Sequence, residues 1–424
     1  MKIKPTKGQL EFLNWEIGTF FHFGIRTFYP NHVDWDNKEM SAEAFCPRNL
    51  DCEQWARVAK SMGATYAILT TKHHDGFALW PSKYTEFSVK NTPWKDQKGD
   101  VVREFVDACR KYGLKVGLYY SPAQWGGSGV RFQNGKEYDD YFINQISELL
   151  SGYGKIDYLW FDGCGSEGHK YDYKRIVGEI LRLQPEILTF CDPEWYPCVR
   201  WVGNEDGYAQ LNNPLVVESW DFSVLTEDGV GLSKANFLPA ECDCKLRDTW
   251  FYEDNEDTIK SLDELLGMYE ASVGRGSNFL LNVGPNEDGL IPAADAKRLQ
   301  ELGEKISECY GTPLPFDELV QEDENTHSIT YHGFEPKDGY QHRQPVNTLI
   351  LEEDLTDGQG IKEFQIYAYL PRNTHRKVLI YRGYTVGHKM ICRFPTVCSP
   401  KLTVEVLSAD GEYRLQSVRA YFVK

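Results

Sequence analysis

Short apolar runs alternate with amphipathic helical patterns from residue 15 to about residue 290, and this alternation is the feature that most limits the possible folds. Between the runs, apolar residues recur at helical spacing, as at Trp55, Val58 and Met62. Strand–helix alternation predicts a parallel sheet, and its length favours a (β/α)8-like barrel over an open doubly wound sheet. No GxGxxG phosphate loop opens the first helix. The runs with the length and composition of strands are GTFFHFG, TYAILTTKHH, LKVGLYYSP, IDYLWFDG and EILTFCD.

The pattern changes twice further along the chain. Residues 192–260 are rich in Glu, Asp, Asn and Gly with poor periodicity, so we expect long loops over the barrel mouth. The strand NFLLNVG and a last helix with Pro292 near its start then resume the barrel. After YGTPLP, short alternating strands without helices predict a β-sandwich. Two domains follow: a barrel over residues 1–310 and a C-terminal β-sandwich over residues 311–424.

Composition excludes several classes of protein. The formal net charge of −17 argues against a nucleic-acid partner, because phosphate contacts need clustered Lys and Arg. The 11 Cys show no CxxC or Cys/His spacing, so neither a zinc ribbon nor a disulfide framework is predicted. No run approaches a membrane span, and MKIKPTKGQL lacks the apolar core of a signal peptide. We therefore expect a cytoplasmic protein, although a secreted or periplasmic chain without its leader would look the same.

Polar side chains end four of the predicted strands. Because the carboxyl ends of parallel strands meet at one face of a barrel, these residues should form one site. They are hard to explain as packing, since buried polar groups are costly unless they are paired. The residues are His22, His73, His74, Tyr119, Tyr120 and Asp162.

A metal site is one reading of this set. Adjacent histidines in a strand point to opposite faces, so His73 and His74 could share an ion only where the strand has ended. A zinc ion would need further ligands, for which His22, Asp75 or Asp162 are available. Singly, each histidine could also be a satisfied core residue.

A carboxylate pair is the other reading. Asp162 lies in LWFDG, after an apolar strand and before a glycine, which presents its side chain at a strand end. A glycosidase needs a second carboxyl group, about 5–5.5 Å away in retaining enzymes and about 6.5–9.5 Å away in inverting enzymes. The residues alone leave three candidates for it, all in the loop-rich region: Glu205, Glu218 and Glu241.

At this point the chain resembles a known family. The string KHHDGFALWPSKYTEFSV is similar to the signature of the α-L-fucosidases, glycoside hydrolase family 29. The resemblance extends in family order over FFHFG, the Asp-Trp of VDWDNKEM, GLYYSP, LWFDG and GSNFLLNVGPNEDGLIP. The tail resembles the family's C-terminal β-sandwich, a domain similar to carbohydrate-binding modules. RWVGNEDG and PAECD resemble the branch that prefers α-1,3/1,4-linked fucose.

The resemblance assigns roles to individual residues. Asp162 matches the nucleophile and Glu205 the acid/base, which implies a retaining double displacement without a metal or other cofactor. The acid/base is the least fixed position of the family, so Glu241 stays an alternative for it; we favour Glu241, then Arg247 and Trp250, as contacts of the rest of the oligosaccharide. The expected contacts of fucose are His22, Asp34, Trp35, His73, His74, Tyr119 or Tyr120, and Trp160.

One position departs from the family pattern. Family members usually carry Glu-Trp where this chain has Asp34-Trp35, so Asp34 would reach a fucose hydroxyl with one methylene fewer. The expected partner is a fucosylated oligosaccharide, and the sequence carries no signal for an oligomeric state. Other readings are an inactive carbohydrate-binding protein on this fold, a fucosidase of broad specificity, and a metal-dependent barrel hydrolase.

Overall fold

A parallel barrel with its helices, a two-stranded hairpin and two C-terminal antiparallel sheets make up most of the part of the chain that the structure describes. The structure is a computed structural model, and it describes residues 2–31, 38–124, 135–163, 169–190, 198–220, 230–332 and 344–424. This agrees with the fold class predicted from the sequence.

The barrel is an eight-stranded parallel sheet in the order β5-β4-β3-β2-β1-β10-β9-β6. Its two outer strands are joined by an isolated parallel bridge between Phe190 and Val199, so the barrel is nearly closed. A separate antiparallel hairpin, β7 with β8, lies in the middle of the chain. The strands are β1 (Ile17–Phe21), β2 (Tyr66–Lys72), β3 (Lys115–Tyr120), β4 (Tyr158–Phe161), β5 (Leu188–Phe190), β6 (Arg200–Trp201), β7 (Val216–Trp220), β8 (Val230–Phe237), β9 (Ala240–Lys245) and β10 (Ser277–Asn282).

Local sequence signals explain where the helices begin and end. Asp51, Asp100 and Asp172 each accept a backbone N–H of the first turn and so cap their helices. Gly113 follows α3 with φ +68°, a conformation that favours glycine. No helix in the described ranges is both long enough and apolar enough to cross a bilayer. The helices are α1 (Lys7–Leu13), α2 (Cys52–Met62), α3 (Val101–Lys111), α4 (Gly135–Gly152), α5 (Tyr173–Leu183), α6 (Leu262–Ser272) and α7 (Ala293–Tyr310).

The middle of the chain contains more of the barrel than the sequence predicts. Residues 192–260 were expected to be loops, but β6 and β9 lie there; β9 pairs with β6 on one side and with β10 on the other. In β9 the inward-facing positions carry Glu241, Asp243 and Lys245, whereas the small Cys242 and Cys244 alternate with them. A strand with charges on its inner face lacks the apolar run that identified the others.

Aromatic side chains fill the barrel interior and its floor. Phe12 at the end of α1 and Trp15 just after it pack against Tyr66 and Tyr158, the first residues of β2 and β4. This end of the barrel is therefore the floor, and the opposite end, where the strands finish, is the mouth. Gly18 leaves room for Tyr66, because a Cβ there would lie 2.3 Å from the ring.

The C-terminal strands form two antiparallel sheets over a separate apolar core. One sheet has the order β11-β12-β17-β14-β15 and the other β16-β13-β18, with apolar side chains such as Leu349, Phe364 and Val404 buried between them. The strands are β11 (Val320–Gln321), β12 (Thr326–Thr330), β13 (Pro345–Glu353), β14 (Ile361–Leu370), β15 (Asn373–Gly383), β16 (Met390–Cys398), β17 (Lys401–Ala409) and β18 (Leu415–Tyr421).

Candidate active site

The polar side chains predicted at the strand ends come together at the barrel mouth. The ring centroids of His22 and His73 are 5.6 Å apart, and those of His73 and His74 are 4.3 Å apart. Asp162 lies 3.3 Å from His74 and within hydrogen-bond distance of Tyr119. Four consecutive strands thus supply one cluster.

Asp162 directly follows β4 and points into this cluster. Its Oδ2 accepts a hydrogen bond of 2.8 Å from the Tyr119 hydroxyl and lies 3.3 Å from His74 Nε2. The side chain keeps 23% of its surface exposed. A hydroxyl donor that points at a carboxylate favours its ionised form. Asp162 is therefore an oriented carboxylate that a ligand can reach.

His74 is held by its other nitrogen. Its Nδ1 lies 2.6 Å from Ser121 Oγ, whose hydroxyl donates to the Ala123 carbonyl. The serine oxygen is then left to accept from Nδ1–H, which turns Nε2 of the same ring towards Asp162.

His22 is a neutral imidazole with a defined tautomer. Asn282 donates its amide to the Trp250 carbonyl, so its oxygen accepts from His22 Nδ1 at 2.7 Å. Burial lowers the pKa of His22 to about 3, with smaller opposing effects from Asn282 and Asp162. Nε2 of this ring is consequently available as an acceptor for a hydroxyl group.

His73 is also neutral. Burial, and after it the neighbouring His74 and Arg26, lower its pKa well below the usual value. Its ring stacks on Tyr119 with an angle of 9° between the planes. Within the described residues, the buried Nδ1 has no hydrogen-bond partner. A buried polar atom of this kind suits a ligand that carries hydroxyl groups.

Asp75 and Gly76 shape the turn that follows His73 and His74. Asp75 accepts a hydrogen bond of 2.7 Å from the Phe77 amide and lies 3.5 Å from Arg26, so it shapes the turn. Gly76 has φ +85°, and a Cβ there would collide with the Gln124 side chain. These two residues hold His73 and His74 without entering the cluster.

Of the two predicted tyrosines, only Tyr119 reaches the cluster. Successive residues of a strand face opposite sides, and Tyr120 points away from the barrel interior. Its hydroxyl donates to Gln145 at 2.7 Å, and its ring stacks on Phe142 of α4. The prediction that Tyr120 could line the pocket does not fit this position.

The two predicted tryptophans lie at different depths. Trp160 is buried below Tyr119 and stacks on it with an angle of 20° between the planes. Trp250 is half-buried at the mouth, with its ring centroid 4.8 Å from that of His22. Trp250 can therefore contact a ligand directly, whereas Trp160 packs below Tyr119 and holds its ring in place.

Glu205 lies on an exposed segment after β6. Its side chain is 49% exposed, and its Oε2 lies 3.4 Å from Lys245 Nζ. The Lys245 ammonium lies 5.0 Å from the centre of the Trp250 ring and acts electrostatically on His22. These contacts connect Glu205 to the rim of the cluster. Glu218, the other candidate in this region, is exposed on the hairpin strand β7.

Glu241 does not lie where a ligand at the mouth could reach it. The side chain is 0% exposed and occupies the barrel interior near the floor. It accepts hydrogen bonds from Tyr66 (2.6 Å), Tyr158 (3.1 Å) and Trp160 (2.9 Å). This corrects the expectation that Glu241 meets the oligosaccharide or serves as the acid/base. The physical reason is its place as the second residue of β9, close to the start of that strand.

Arg247 is likewise engaged inside the protein. Its guanidinium makes several hydrogen bonds of 2.9–3.1 Å with the carboxylate of Asp295 at the start of α7, and also donates to the Glu253 carbonyl. Only 6% of the side chain is exposed. Its expected contact with the oligosaccharide does not fit this geometry. The other two predicted contacts, Asp34 and Trp35, lie outside the described residues.

Asp243 and Lys245 are residues near the site that the sequence reasoning missed. Asp243 is buried and accepts a hydrogen bond of 2.7 Å from Trp201. Burial and then the neighbouring Glu205 raise its pKa well above the usual value. The alternation of AECDCK, with small cysteines between charged residues, is the signal that could have identified this strand.

One group in the described ranges could ligate a metal ion. Ligand atoms of His73, His74 and Asp162 all lie within 4.8 Å of one another. The same atoms can hydrogen-bond a polyol, and Asp162 already accepts from Tyr119. The geometry alone is therefore compatible with either ligand.

The comparison with known proteins decides the class. The α-L-fucosidase family profile matches residues 9–308. The chain belongs to the α-L-fucosidase family. It is 32% identical over 443 residues to "Alpha-L-fucosidase 1" of Arabidopsis thaliana, covering 96% of this chain and 85% of that protein.

Solved structures agree with the family. A glycoside hydrolase family 29 member from an unknown rumen bacterium superposes with a TM-score of 0.86 at 32% identity, covering 100% of this chain and 78% of the other. A Ruminococcus gnavus GH29 fucosidase in complex with fucose has a TM-score of 0.83 at 23% identity, covering 100% and 95%. The latter supports the shared fold alone. The protein is thus an α-L-fucosidase, a glycoside hydrolase, and the cluster at its mouth is its candidate active site.

Proposed function

We propose that this fucosidase is a retaining exo-enzyme that releases terminal α-1,3/1,4-linked L-fucose, with Asp162 as nucleophile and Glu205 as acid/base. The observation that carries the proposal is the Asp162 carboxylate, which is oriented by Tyr119 and stays accessible at the mouth. Glu205 is accessible and contacts Lys245 at the rim of the cluster, whereas Glu241 is fully buried on the barrel floor and Glu218 lies on the hairpin strand β7.

In the first step the Asp162 carboxylate attacks the anomeric carbon of fucose. A bond forms between this carbon and the carboxylate oxygen, and the glycosidic C–O bond breaks. Glu205 gives its proton to the leaving oxygen, so the rest of the oligosaccharide departs as an alcohol. The Tyr119 hydroxyl keeps the nucleophile aligned before the attack.

In the second step water hydrolyses the glycosyl-enzyme. Glu205, now a carboxylate, accepts a proton from water while the oxygen of water bonds to the anomeric carbon. The ester bond to Asp162 breaks, and Glu205 is left protonated for the next cycle. Two inversions at one carbon give net retention of configuration.

Neutral imidazoles support the recognition of fucose. His22 and His73 present nitrogen atoms that need a partner, and an analogue that lacks the matching hydroxyl would leave them unpaired. The aromatic rings of Trp250 and Phe251 flank these histidines and suit the apolar face and methyl group of fucose. Asp34 and Trp35 remain predicted contacts.

The linkage preference rests on the segment around Glu205. RWVGNEDG and PAECD resemble the α-1,3/1,4 branch, and the exposed Tyr208 and Leu211 follow Glu205 directly. Exposed aromatic and apolar side chains suit the faces of additional sugar rings. A branched oligosaccharide would contact this segment, whereas an aryl group would not need it.

A comparison of three substrates tests the linkage. We expect cleavage of a Lewis-type trisaccharide in preference to an α-1,2-fucosylated lactose, with an aryl fucoside as the reference. Preference for the α-1,2-linked substrate would contradict the proposal. ¹H NMR of the first-formed fucose would show the α-anomer, and an initial β-anomer would exclude retention.

Asp162→Asn tests the nucleophile. We expect kcat on the aryl fucoside to fall by about 10³-fold or more, because the amide cannot form the glycosyl-enzyme. Circular dichroism should show an unchanged fold. A variant that keeps a near-normal rate would remove Asp162 from the mechanism.

A further inference from the structure

Glu241 is a carboxylate sealed inside the barrel that the proposed mechanism does not use. It is 0% exposed and accepts three hydrogen bonds, from Tyr66 of β2 and from Tyr158 and Trp160 of β4. The buried cluster around it consists mostly of aromatic rings, with a few aliphatic side chains. A carboxylate in such a place is costly unless its geometry is well satisfied.

One of its three partners begins a stack of rings that leads to the mouth. Trp160 stacks on Tyr119 at 5.4 Å, and Tyr119 stacks on His73 at 5.5 Å. On the other side Trp160 stacks on Phe190 at 4.2 Å. The Tyr119 hydroxyl at the upper end of this stack donates to Asp162.

We propose that Glu241 is a positioning residue for the nucleophile: it holds the Trp160 indole, and through the ring stack it keeps the Tyr119 hydroxyl on Asp162. The inference rests on the proposed role of Asp162 as nucleophile. The indole N–H of Trp160 ties the stack to the buried Glu241 carboxyl on another strand of the barrel. Without this bond the indole is held by ring contacts, which tolerate a range of offset geometries.

The other two donors make the inference distinguishable from simple packing. Tyr66 and Tyr158 also donate to Glu241, but neither ring stacks on Tyr119 in the described contacts. If Glu241 served only to satisfy buried hydroxyls, losing Tyr66 and losing the indole N–H would have similar effects on the reaction. If Glu241 positions the stack, only the loss of the indole N–H alters the reaction at Asp162.

The test measures covalent labelling of Asp162 by 2-deoxy-2-fluoro-α-L-fucosyl fluoride. The carboxylate oxygen bonds to the anomeric carbon, and the C–F bond breaks with release of fluoride, which needs no acid. The labelling rate therefore reports the nucleophile independently of Glu205. Peptide mass spectrometry identifies the labelled residue.

Five variants separate the possibilities. Trp160→Phe keeps a stacking ring and removes the N–H, and Glu241→Leu removes the acceptor. Glu241→Gln keeps an oxygen that can accept from the indole. Tyr66→Phe removes a donor outside the stack. Glu353→Gln is the matched control, because burial also raises the pKa of Glu353 to about 7, yet this residue lies in the β-sandwich.

We expect labelling at saturating reagent to be about tenfold slower in Trp160→Phe and Glu241→Leu, the effect of losing one hydrogen bond. Glu241→Gln, Tyr66→Phe and Glu353→Gln should stay within about threefold of the parent rate, by the same reasoning. If Glu241→Leu does not fold, Trp160→Phe decides the matter.

A parent-like rate in Trp160→Phe, or slowing of Glu241→Gln or Tyr66→Phe to the same extent, would overturn the inference. Failure of the proposed function gives a different result. In that case the label would be found on a residue other than Asp162 in the parent enzyme, whatever the Glu241 variants do.

Discussion

Burial decides what the imidazoles of this pocket can do. In His22 and His73, removal from water disfavours the charged forms of the imidazoles. They remain hydrogen-bond partners at all ordinary pH values, and in the proposed mechanism the proton transfers fall to the Glu205 carboxyl group. We therefore expect the motif KHHDGF to serve recognition of the substrate.

This has a measurable consequence for fucose binding. Because the pKa of His22 is lowered to about 3, its ring stays neutral from pH 5 to pH 8. The inhibition constant of fucose, as a competitive inhibitor, should change by less than about twofold over this range. A loss of affinity with a midpoint near the ordinary histidine pKa of about 6.5 would contradict the assignment of neutral rings.

Glu205→Ala tests the acid/base at the level of one side chain. We expect kcat on a Lewis-type trisaccharide to fall by about 10²-fold, the usual contribution of general acid catalysis. On an aryl fucoside with a good leaving group, azide should restore part of the rate. Azide attacks the glycosyl-enzyme without a base, and the Asp162 ester bond breaks as fucosyl azide forms.

Glu218→Ala is the control for this experiment, since Glu218 is an exposed glutamate on the neighbouring hairpin. It should keep the parent rate and show no response to azide. Rescue in Glu218→Ala and none in Glu205→Ala would exchange the roles of the two residues.

Strand β9 is a barrel strand whose inner face is polar. Its inner face carries Glu241, Asp243 and Lys245 from floor to rim, so three ionisable side chains point into the barrel from one strand. Each of these side chains has a hydrogen-bond partner. Glu241 accepts from aromatic side chains such as Trp160, Asp243 accepts from Trp201, and Lys245 donates to Glu205. The strand depends on these partners rather than on apolar burial.

The pH dependence of stability should reveal the buried carboxyl of β9. Burial raises the pKa of Glu241 to about 7, against about 4.3 in an unfolded chain. The folded state therefore binds the extra proton, and its stability falls as pH rises from about 4.3 to 7. The shift corresponds to about 3 kcal/mol as an order of magnitude.

Denaturant unfolding of the parent and Glu241→Gln at pH 5 and pH 8 measures this effect. The parent should lose more free energy of unfolding between the two pH values than the variant. The titratable neighbours Tyr66 and Tyr158 stay neutral throughout, because burial raises the pKa of both well above the usual value. Equal losses in both proteins would show that Glu241 does not titrate in this range.

The sequence predicts well those site residues that end apolar strands. His22, His73, His74, Tyr119 and Asp162 follow runs whose periodicity is unambiguous, and parallel strands must bring their carboxyl ends together. The sequence does not predict the position of Glu241, because the composition around this residue suggested a loop rather than a strand. Tyr120 fails for another reason: adjacent residues at a strand end face opposite sides, and the sequence does not say which faces inward.

At the scale of the whole molecule, polar contacts accompany apolar packing, as at Ile391, between the barrel and the β-sandwich. Glu16, just before β1, pairs with His388 and Lys389, which lie just before β16. Arg393 of β16 lies 2.8 Å from Glu270 of α6. The Ile391 amide also donates to the Gly274 carbonyl at 2.8 Å. The sandwich therefore contacts the barrel at its floor side, away from the mouth.

Glu16→Gln tests this contact. Burial alone would raise the pKa of Glu16, but His388 and Lys389 outweigh it, and the pKa is lowered. The stability from this carboxylate is then present above the unfolded pKa of about 4.3 and lost as pH falls through the folded value. We expect the variant to melt at a lower temperature at pH 7, and the difference to shrink towards pH 3.

The variant should keep the parent kcat, since Glu16 is remote from Asp162 along the barrel axis. A difference in melting temperature that is the same at pH 7 and pH 3 would show that the Glu16 charge does not hold the contact.

The near-closure of the barrel has a consequence for the pocket. β5 and β6 are joined through the Val199 amide, which donates to the Thr189 carbonyl at 3.0 Å, beside the bridge at Phe190. Phe190 is also the outermost ring of the stack below Tyr119. The isolated bridge that closes the cylinder thus adjoins the ring stack below Asp162, the proposed nucleophile, and solvent exchange of the Val199 amide would report how often this part of the barrel wall opens.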